Sequence, residues 1–197
     1  FEKIYNNKYD FEVIIVDDAS NKENQIDNLI KKYSFEIKLL KISENEKGNR
    51  INSSVVYNRG FRRAKGEIVI IQNPECCHIG DLLSYLKDNL KDSDYFAFSC
   101  FTTNTEEFTN ELLNSDNKYK KINDKNFLEK NASSCYHKLK LNWFNHPIIR
   151  PQGYHFCSAI HKKNLIKIGG FDEKFKDGYC FDDDELLLSI KYILNYI

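Results

Sequence analysis

Phe11 to Ser20 reads FEVIIVDDAS. The apolar run Val13 to Val16 stops at two carboxylates, Asp17 and Asp18, and a small-residue turn. A continuous β-branched run without polar alternation reads as a strand buried on both faces, the kind that parallel sheets use. Further strands are expected at EIKLLKI (36–42), EIVIIQ (67–72), DYFAFSCF (94–101) and YHFCSAI (154–160). Between them lie helical patterns. Phe1, Ile4 and Tyr5 read as the tail of a helix. Ser20-Asn21-Lys22-Glu23 fits a capping box, and Ile26, Leu29, Ile30 and Tyr33 follow at helical spacing, which predicts a helix over 21–33. The polar stretch SENEKGNR (43–50) reads as a loop. A helix is expected over 53–65 with Gly66 as its stop, another along Ile79, Leu82, Leu83, Leu86 and Leu90, a short one in KKNLIKI (162–168) stopped by Gly169-Gly170, and a last one along Leu186, Leu187, Ile190, Ile193 and Leu194. Strands alternating with helices predict an α/β domain, a mainly parallel central sheet in a three-layer αβα arrangement. Residues 102–150 are less regular, rich in Asn and Lys, with one helix near Glu106 to Leu113, and read as an insertion or acceptor-side region.

The chain has 197 residues, enough for one domain with a real core. It carries 29 basic and 29 acidic side chains, a formal net charge of zero. No net field draws it to nucleic acid, so nucleic acid is not an expected partner. No stretch reaches the ~18 apolar residues of a membrane span, and no signal peptide is present. The six cysteines form no Cys-x-x-Cys pair and read as reduced thiols of a cytoplasmic compartment. Two glycosylation sequons, at Asn52 and Asn131, read as chance in so Asn-rich a chain. With no methionine, the chain is expected to be a piece of something longer, truncated at both ends.

Ligands of open α/β sheets bind beyond the carboxyl ends of the strands. That rule selects three places. Asp17-Asp18 follows the first strand; a carboxylate there either accepts hydrogen bonds from a base or ribose or starts the next turn, and the local pattern leans to the turn. Asn73-Pro74-Glu75 follows the third; Pro74 ends the ladder, and Glu75 is either a loop acid or a ligand for a hard cation such as Mn²⁺ or Mg²⁺ that shares its shell with phosphates. Phe181-Asp182-Asp183-Asp184-Glu185 opens the last helix. The helix dipole offsets part of their repulsion and capping needs only one of these acids; a functional reading is preferred because the run follows the Gly169-Gly170 turn and a second near Gly178, turns that can bring backbone close to a ligand. His155, Cys157 and His161 do not space as a tetrahedral zinc shell; packing or an acceptor hydrogen bond suits them, with His161 a further candidate metal ligand. No Gly-x-Ser-x-Gly, Gly-x-Gly-x-x-Gly or phosphate loop is present.

Taken in order, FEVIIVDDAS, NRGFRRAKGEIVIIQNPE and GGFDEKFKDGYCFDDDELLLSIKY resemble the Val-Asp-Asp-Gly-Ser strand, the Asn-x-Gly…Ala-x-Gly-Glu stretch leading to Asp-x-Asp, and the Gly-Gly-Phe-Asp-Glu…Glu-Asp-x-Asp/Glu-Leu segment of family 2 glycosyltransferases with the GT-A fold. The resemblance spans roughly residues 1–101 and 154–197. It implies a nucleotide-diphospho-sugar donor, a glycan, lipid-linked or protein acceptor, and a divalent cation. It also implies Asp18, with Asp17 beside it, at the nucleotide; Asn58, Asn73 and Asp182 in the nucleotide-sugar site; Glu75 at the metal; and Asp183 as the general base of an inverting transfer. Asn73-Pro74-Glu75 departs from Asp-x-Asp by one lost acid and one longer one, and Tyr57 stands where many members carry Arg. A sugar-phosphate nucleotidyltransferase and a catalytically degenerate sugar-binding module are the alternatives. Trp143, Phe144 and His146 are either an aromatic platform for a sugar ring or a loop anchored by buried rings.

Overall fold

The computed structural model describes residues 1–78, 80–101, 106, 109–110, 143–148 and 150–194. The chain divides into two units, one made of Phe1–Val69, Leu90–Tyr95 and Ala159–Ile197, the other of Ile70–Asn89 and Phe96–Ser158.

In the first unit, a short helix α1 (Glu2–Tyr5) precedes strand β1 (Val13–Asp18). Tyr5 is fully buried and meets Phe1, Tyr9 and Phe11 at ring distances of 5.7, 6.1 and 5.9 Å. β1 pairs in parallel with β2 (Ile37–Ile42), in the register Val13 to Ile37 through Asp18 to Ile42, so both acids lie at the carboxyl end as expected. The helix expected over 21–33 does not form. A 3₁₀ turn (Lys22–Asn24) and a single helical turn, α2 (Asp27–Ile30), replace it, and neither has a side-chain cap. The reason is on the surface. Ile26 and Ile30 are half-buried but Leu29 and Tyr33 are exposed, so only half of the apolar stripe gains burial, and Asn21, Asn24, Asp27 and Asn28 favour turns over helix. The stretch read as a polar loop holds α3 (Glu44–Lys47), capped by Ser43, whose Oγ accepts from Glu46 N at 3.2 Å.

Helix α4 (Ser54–Arg63) packs on β1. It ends at Ala64, which is extended, and not at Gly66; Ala64 N still bonds to Gly60 and Phe61 carbonyls. Asn52, whose sequon reads as chance, is buried, and its Oδ1 accepts from Ser54 N at 2.7 Å. The start of strand β3 (Ile68–Gln72) follows, through Val69, and later the end of β7 (Cys157–His161), from Ala159, then α6 (Lys162–Ile168), a 3₁₀ turn (Glu173–Asp177) and α7 (Asp182–Ile193). Gly169 stops α6 in the left-handed region as the sequence predicts. Ala159, Ile160, Leu165, Phe171, Leu186 and Ile190 form this unit's core.

The second unit carries α5 (Leu82–Asn89), on the expected stripe with Leu86 buried, strands β5 (Cys100–Phe101) and β6 (Trp143–Phe144), and all of β4 (Tyr95–Ala97) but Tyr95. The single strand expected over 94–101 is broken at Phe98-Ser99. Phe98 N donates to Cys157 O, while β5 leaves to pair antiparallel with β6. Of the helix expected near Glu106 to Leu113, residues 106, 109 and 110 are helical; its remaining positions, and most of 102–150, lie outside the described residues.

Strands β3, β7 and β4 make a three-stranded sheet in that order. Lys162 N donates to Glu67 O past one end of the β3–β7 pair, and Asn73 N donates to Phe156 O past the other. Their directions therefore oppose. Parallel pairing holds for β1–β2 and antiparallel pairing for β3–β7, so the α/β class stands and the expected mainly parallel course does not extend to this sheet. A strand covered on both faces is apolar whichever way its neighbour runs, so the pattern that predicts burial does not report direction.

Candidate active site

At the end of β1 the two acids do different work. Asp17 Oδ1 accepts from Ser20 N at 2.9 Å, which shapes the turn through Ala19 at φ 60°. Asp18 is ion-paired with Arg50 Nη2, and its carbonyl accepts from Lys47 Nζ at 3.0 Å. The Arg50 side chain is only 6% exposed, and its Nε is buried without a hydrogen-bond partner. Strand-end carboxylates are visible in sequence; the two cations facing Asp18 come from the SENEKGNR stretch and were missed. Their only signal was a Lys and an Arg within a polar segment.

The acids opening α7 are graded by burial. Asp182 is 7% exposed, Asp183 and Glu185 are half-buried, and Asp184 is exposed. All four lie in the first helical turn, where unpaired backbone N–H groups favour negative charge. Phe181 enters the helix at φ 76° and ψ −6°, a left-handed conformation that a bulky side chain seldom takes. Glu185 reaches back: its Oε2 accepts from Asp172 N at 3.4 Å and its Oε1 from Ser189 Oγ at 2.6 Å.

Asn58 lies on α4 and is 4% exposed. Its carboxamide is taken up by the loop after α6. Nδ2 donates to Phe171 O at 2.8 Å and Glu173 Oε1 at 3.0 Å, and Oδ1 accepts from Phe171 N at 2.9 Å. Beside it, a cleft of about 400 Å³ is lined by Arg62, Gly170, Asp172, Glu173 and Glu185, among others. Within this unit, then, the structure links Asn58 to the loop that leads to Asp182 and Asp183. His161 ends β7 with its Nε2 3.8 Å from Asp92 Oδ1, while Asp92 Oδ2 binds Lys163 Nζ at 2.5 Å.

In the second unit, Asn73 N extends the ladder one residue beyond β3, and Pro74-Glu75 turns the chain away, with Cys76 N donating to Asn73 O at 3.0 Å. Asn73 Nδ2 donates to Glu75 Oε1 at 3.1 Å, which fixes the exposed carboxylate against the strand end. This suits a cation held by one protein carboxylate, with phosphates and water completing its shell. It does not suit a cage of protein ligands: among the described residues no three His, Cys, Asp or Glu side chains converge as a metal site. Behind the turn sit sulfurs. Burial pushes the Cys157 thiol up to about 12 and His78, whose Nε2 lies 3.8 Å from Cys157 Sγ, down to about 4. A hydrogen bond from Cys76 holds the Cys100 thiol below its usual range and raises Cys76. The five described cysteines, Cys76, Cys77, Cys100, Cys157 and Cys180, are free thiols. In the LNWFNHPIIRP stretch, Asn145 is buried and exchanges hydrogen bonds with Tyr154, at 2.7 Å to its carbonyl and 3.1 Å from its N–H.

The model of glycosyl transferase family 2 matches residues 1–148. The match contains Asp17, Asp18, Asn58, Asn73 and Glu75 and stops short of His161, Asp182 and Asp183. A curated relative, the poly(ribitol-phosphate) beta-N-acetylglucosaminyltransferase TarP of Staphylococcus aureus (strain N315), is 33% identical over 87 residues, which are 42% of this chain and 25% of the relative. The match thus spans about a quarter of that relative's length.

Proposed function

The chain belongs to glycosyl transferase family 2, and from that premise we propose that it moves a sugar from a nucleotide-diphospho-sugar to a hydroxyl acceptor with inversion. The observation that carries the reading is the strand-end acid Asp18, held by Arg50 inside the matched segment, in one unit with the loop-tethered acids of α7. Asp18 and Asp17 receive the nucleotide, and Asn73 orients Glu75. Asp183 is the general base. It is half-buried and so open to an acceptor hydroxyl, whereas Asp182 is buried at 7% exposure. As the acceptor oxygen bonds to the anomeric carbon, the bond to the diphosphate breaks on the opposite face and the hydroxyl proton passes to Asp183. Glu75 would hold Mn²⁺ or Mg²⁺, which supplies neutralisation of charge on the departing diphosphate. By likeness to the relative, an N-acetylhexosamine donor and a polyol-phosphate polymer acceptor are the first substrates to try.

The test is transfer from UDP-N-acetylglucosamine and UDP-glucose to poly(ribitol phosphate), with Mn²⁺ or with a chelator. Asp183→Asn is expected to lower kcat on the order of 10²- to 10⁴-fold while donor binding persists. Glu75→Ala is expected to lose the metal-dependent part of the rate. An Asp183→Asn protein with full transfer would remove the base assignment, and donor binding without any turnover by the unaltered protein would favour the degenerate module.

A further inference from the structure

We propose that Asn58 is a positioning residue: it sets where the carboxylates of α7 stand relative to the strand-end acid Asp18, and it does so without touching substrate. The inference rests on the transferase reading for its kinetic consequence, but its geometry is independent of that reading.

The Asn58 carboxamide and the backbone of Phe171 form a reciprocal pair, N–H to O in both directions, at 2.8 and 2.9 Å. The pairing also assigns the amide, because a flip would set donor against donor and acceptor against acceptor. The second N–H goes to Glu173 Oε1. Both amide hydrogens and the oxygen are therefore committed within the protein, in a side chain that is 4% exposed. Little is left to offer a ligand.

What the pair holds is the path to the catalytic acids. Asn58 stands on α4, which packs on β1, the strand that ends at Asp18. On its other side are Phe171, stacked on Tyr57 at 5.2 Å and Phe61 at 6.0 Å, and the 3₁₀ turn that follows. Two more bonds fasten that turn to the start of α4, from Ile51 N and Asn52 N to Lys176 O, each 2.9 Å. Asp172, between the two anchored residues, donates to Glu185 in the first turn of α7. The route runs from Asp18 through α4 and Asn58 to Asp172, Glu185 and the turn that carries Asp183. Gly170 makes the approach possible: a Cβ there would overlap Asn58 Oδ1 and crowd Phe61 Cδ2 at 3.4 Å. Tyr57, at the position where the sequence departs from the family's Arg, is absorbed into the same clamp by stacking.

Asn58→Asp tests this, since it keeps the size, loses both donors and sets a carboxylate against Phe171 O and Glu173. With UDP-N-acetylglucosamine as donor, kcat should fall on the order of 10- to 100-fold with the donor KM held within about twofold. Hydrogen exchange should quicken at 171–173 and also at 181–185, while β1 keeps its protection. If Asn58→Asp does not fold, Glu173→Ala, which removes one of the three bonds at a partly exposed residue, should give the same pattern at smaller size. A raised donor KM at unchanged kcat would overturn the proposal in favour of direct donor contact. Unaltered exchange at 181–185 would overturn it in favour of a purely local role. If the unaltered protein transfers no sugar, the functional reading fails, and the exchange data still decide the positioning claim.

Discussion

Gly170 has a φ of +76° and sits against Asn58 Oδ1. An Ala there meets two penalties, the left-handed backbone and a side chain locked by three hydrogen bonds. Gly170→Ala is expected to destabilise the protein by about 2 kcal/mol or more, read as a drop in Tm. Gly48→Ala is the comparison: φ is +55° and ψ −136°, but nothing lies within 4 Å of a new Cβ, so only the backbone cost of about 1–3 kcal/mol applies. That Gly169-Gly170 ends a helix was legible, because glycine after an apolar helical stripe is a local signal. That the second glycine makes room for Asn58 was not, since the two residues are brought together only by folding. Asp18 shows the same division. A carboxylate after an apolar run announces a strand end, yet its partner Arg50 comes from the far side of β2 and α3.

Helix α4 illustrates an element that local rules describe well. Its position was expected, and its one interior glycine, Gly60, is an ordinary helical residue whose added Cβ would lie 3.5 Å from Val16 Cγ2, a normal van der Waals contact. Gly60→Ala is therefore expected to stabilise by about 0.5–1 kcal/mol through the lower entropy of the unfolded chain, measured by denaturant midpoint. The same substitution type thus carries opposite signs at Gly60 and Gly170. Elements whose stability depends on a buried face were read less well. Ile26, Leu29, Ile30 and Tyr33 have helical spacing, but with Leu29 and Tyr33 in solvent the segment settles for two short turns. A helix of that length gains too little from its own hydrogen bonds to form without packing.

For the whole molecule, the clearest physical consequence is a pH window of stability set by the buried His78 and Cys157 pair. His78 titrates at about 4 when folded, against an ordinary value of 6.5. Between those values the unfolded chain binds the extra proton, so stability rises with pH across roughly 4 to 6.5, by about 3 kcal/mol at most. Cys157 titrates at about 12 when folded, against 9.0, so the unfolded chain loses its proton first and stability falls as pH rises from about 9. Urea unfolding across pH 4–11 should show a plateau between these limits, and His78→Asn should flatten the acid limb; an unchanged limb would place the titration elsewhere. The neutral charge balance, 29 basic against 29 acidic residues, adds no net self-repulsion near pH 7. The apolar strands, the acids that end them, the helix that opens on Asp182 and the charge balance are legible residue by residue, because each is a property of composition or of neighbours along the chain. The antiparallel course of β3 and β7, the Arg50 lock on Asp18 and the Asn58 clamp on the loop before α7 arise in the folded molecule. Those depend on hydrogen bonds and ion pairs between residues far apart in sequence, and such contacts leave no period or spacing in the chain to be read.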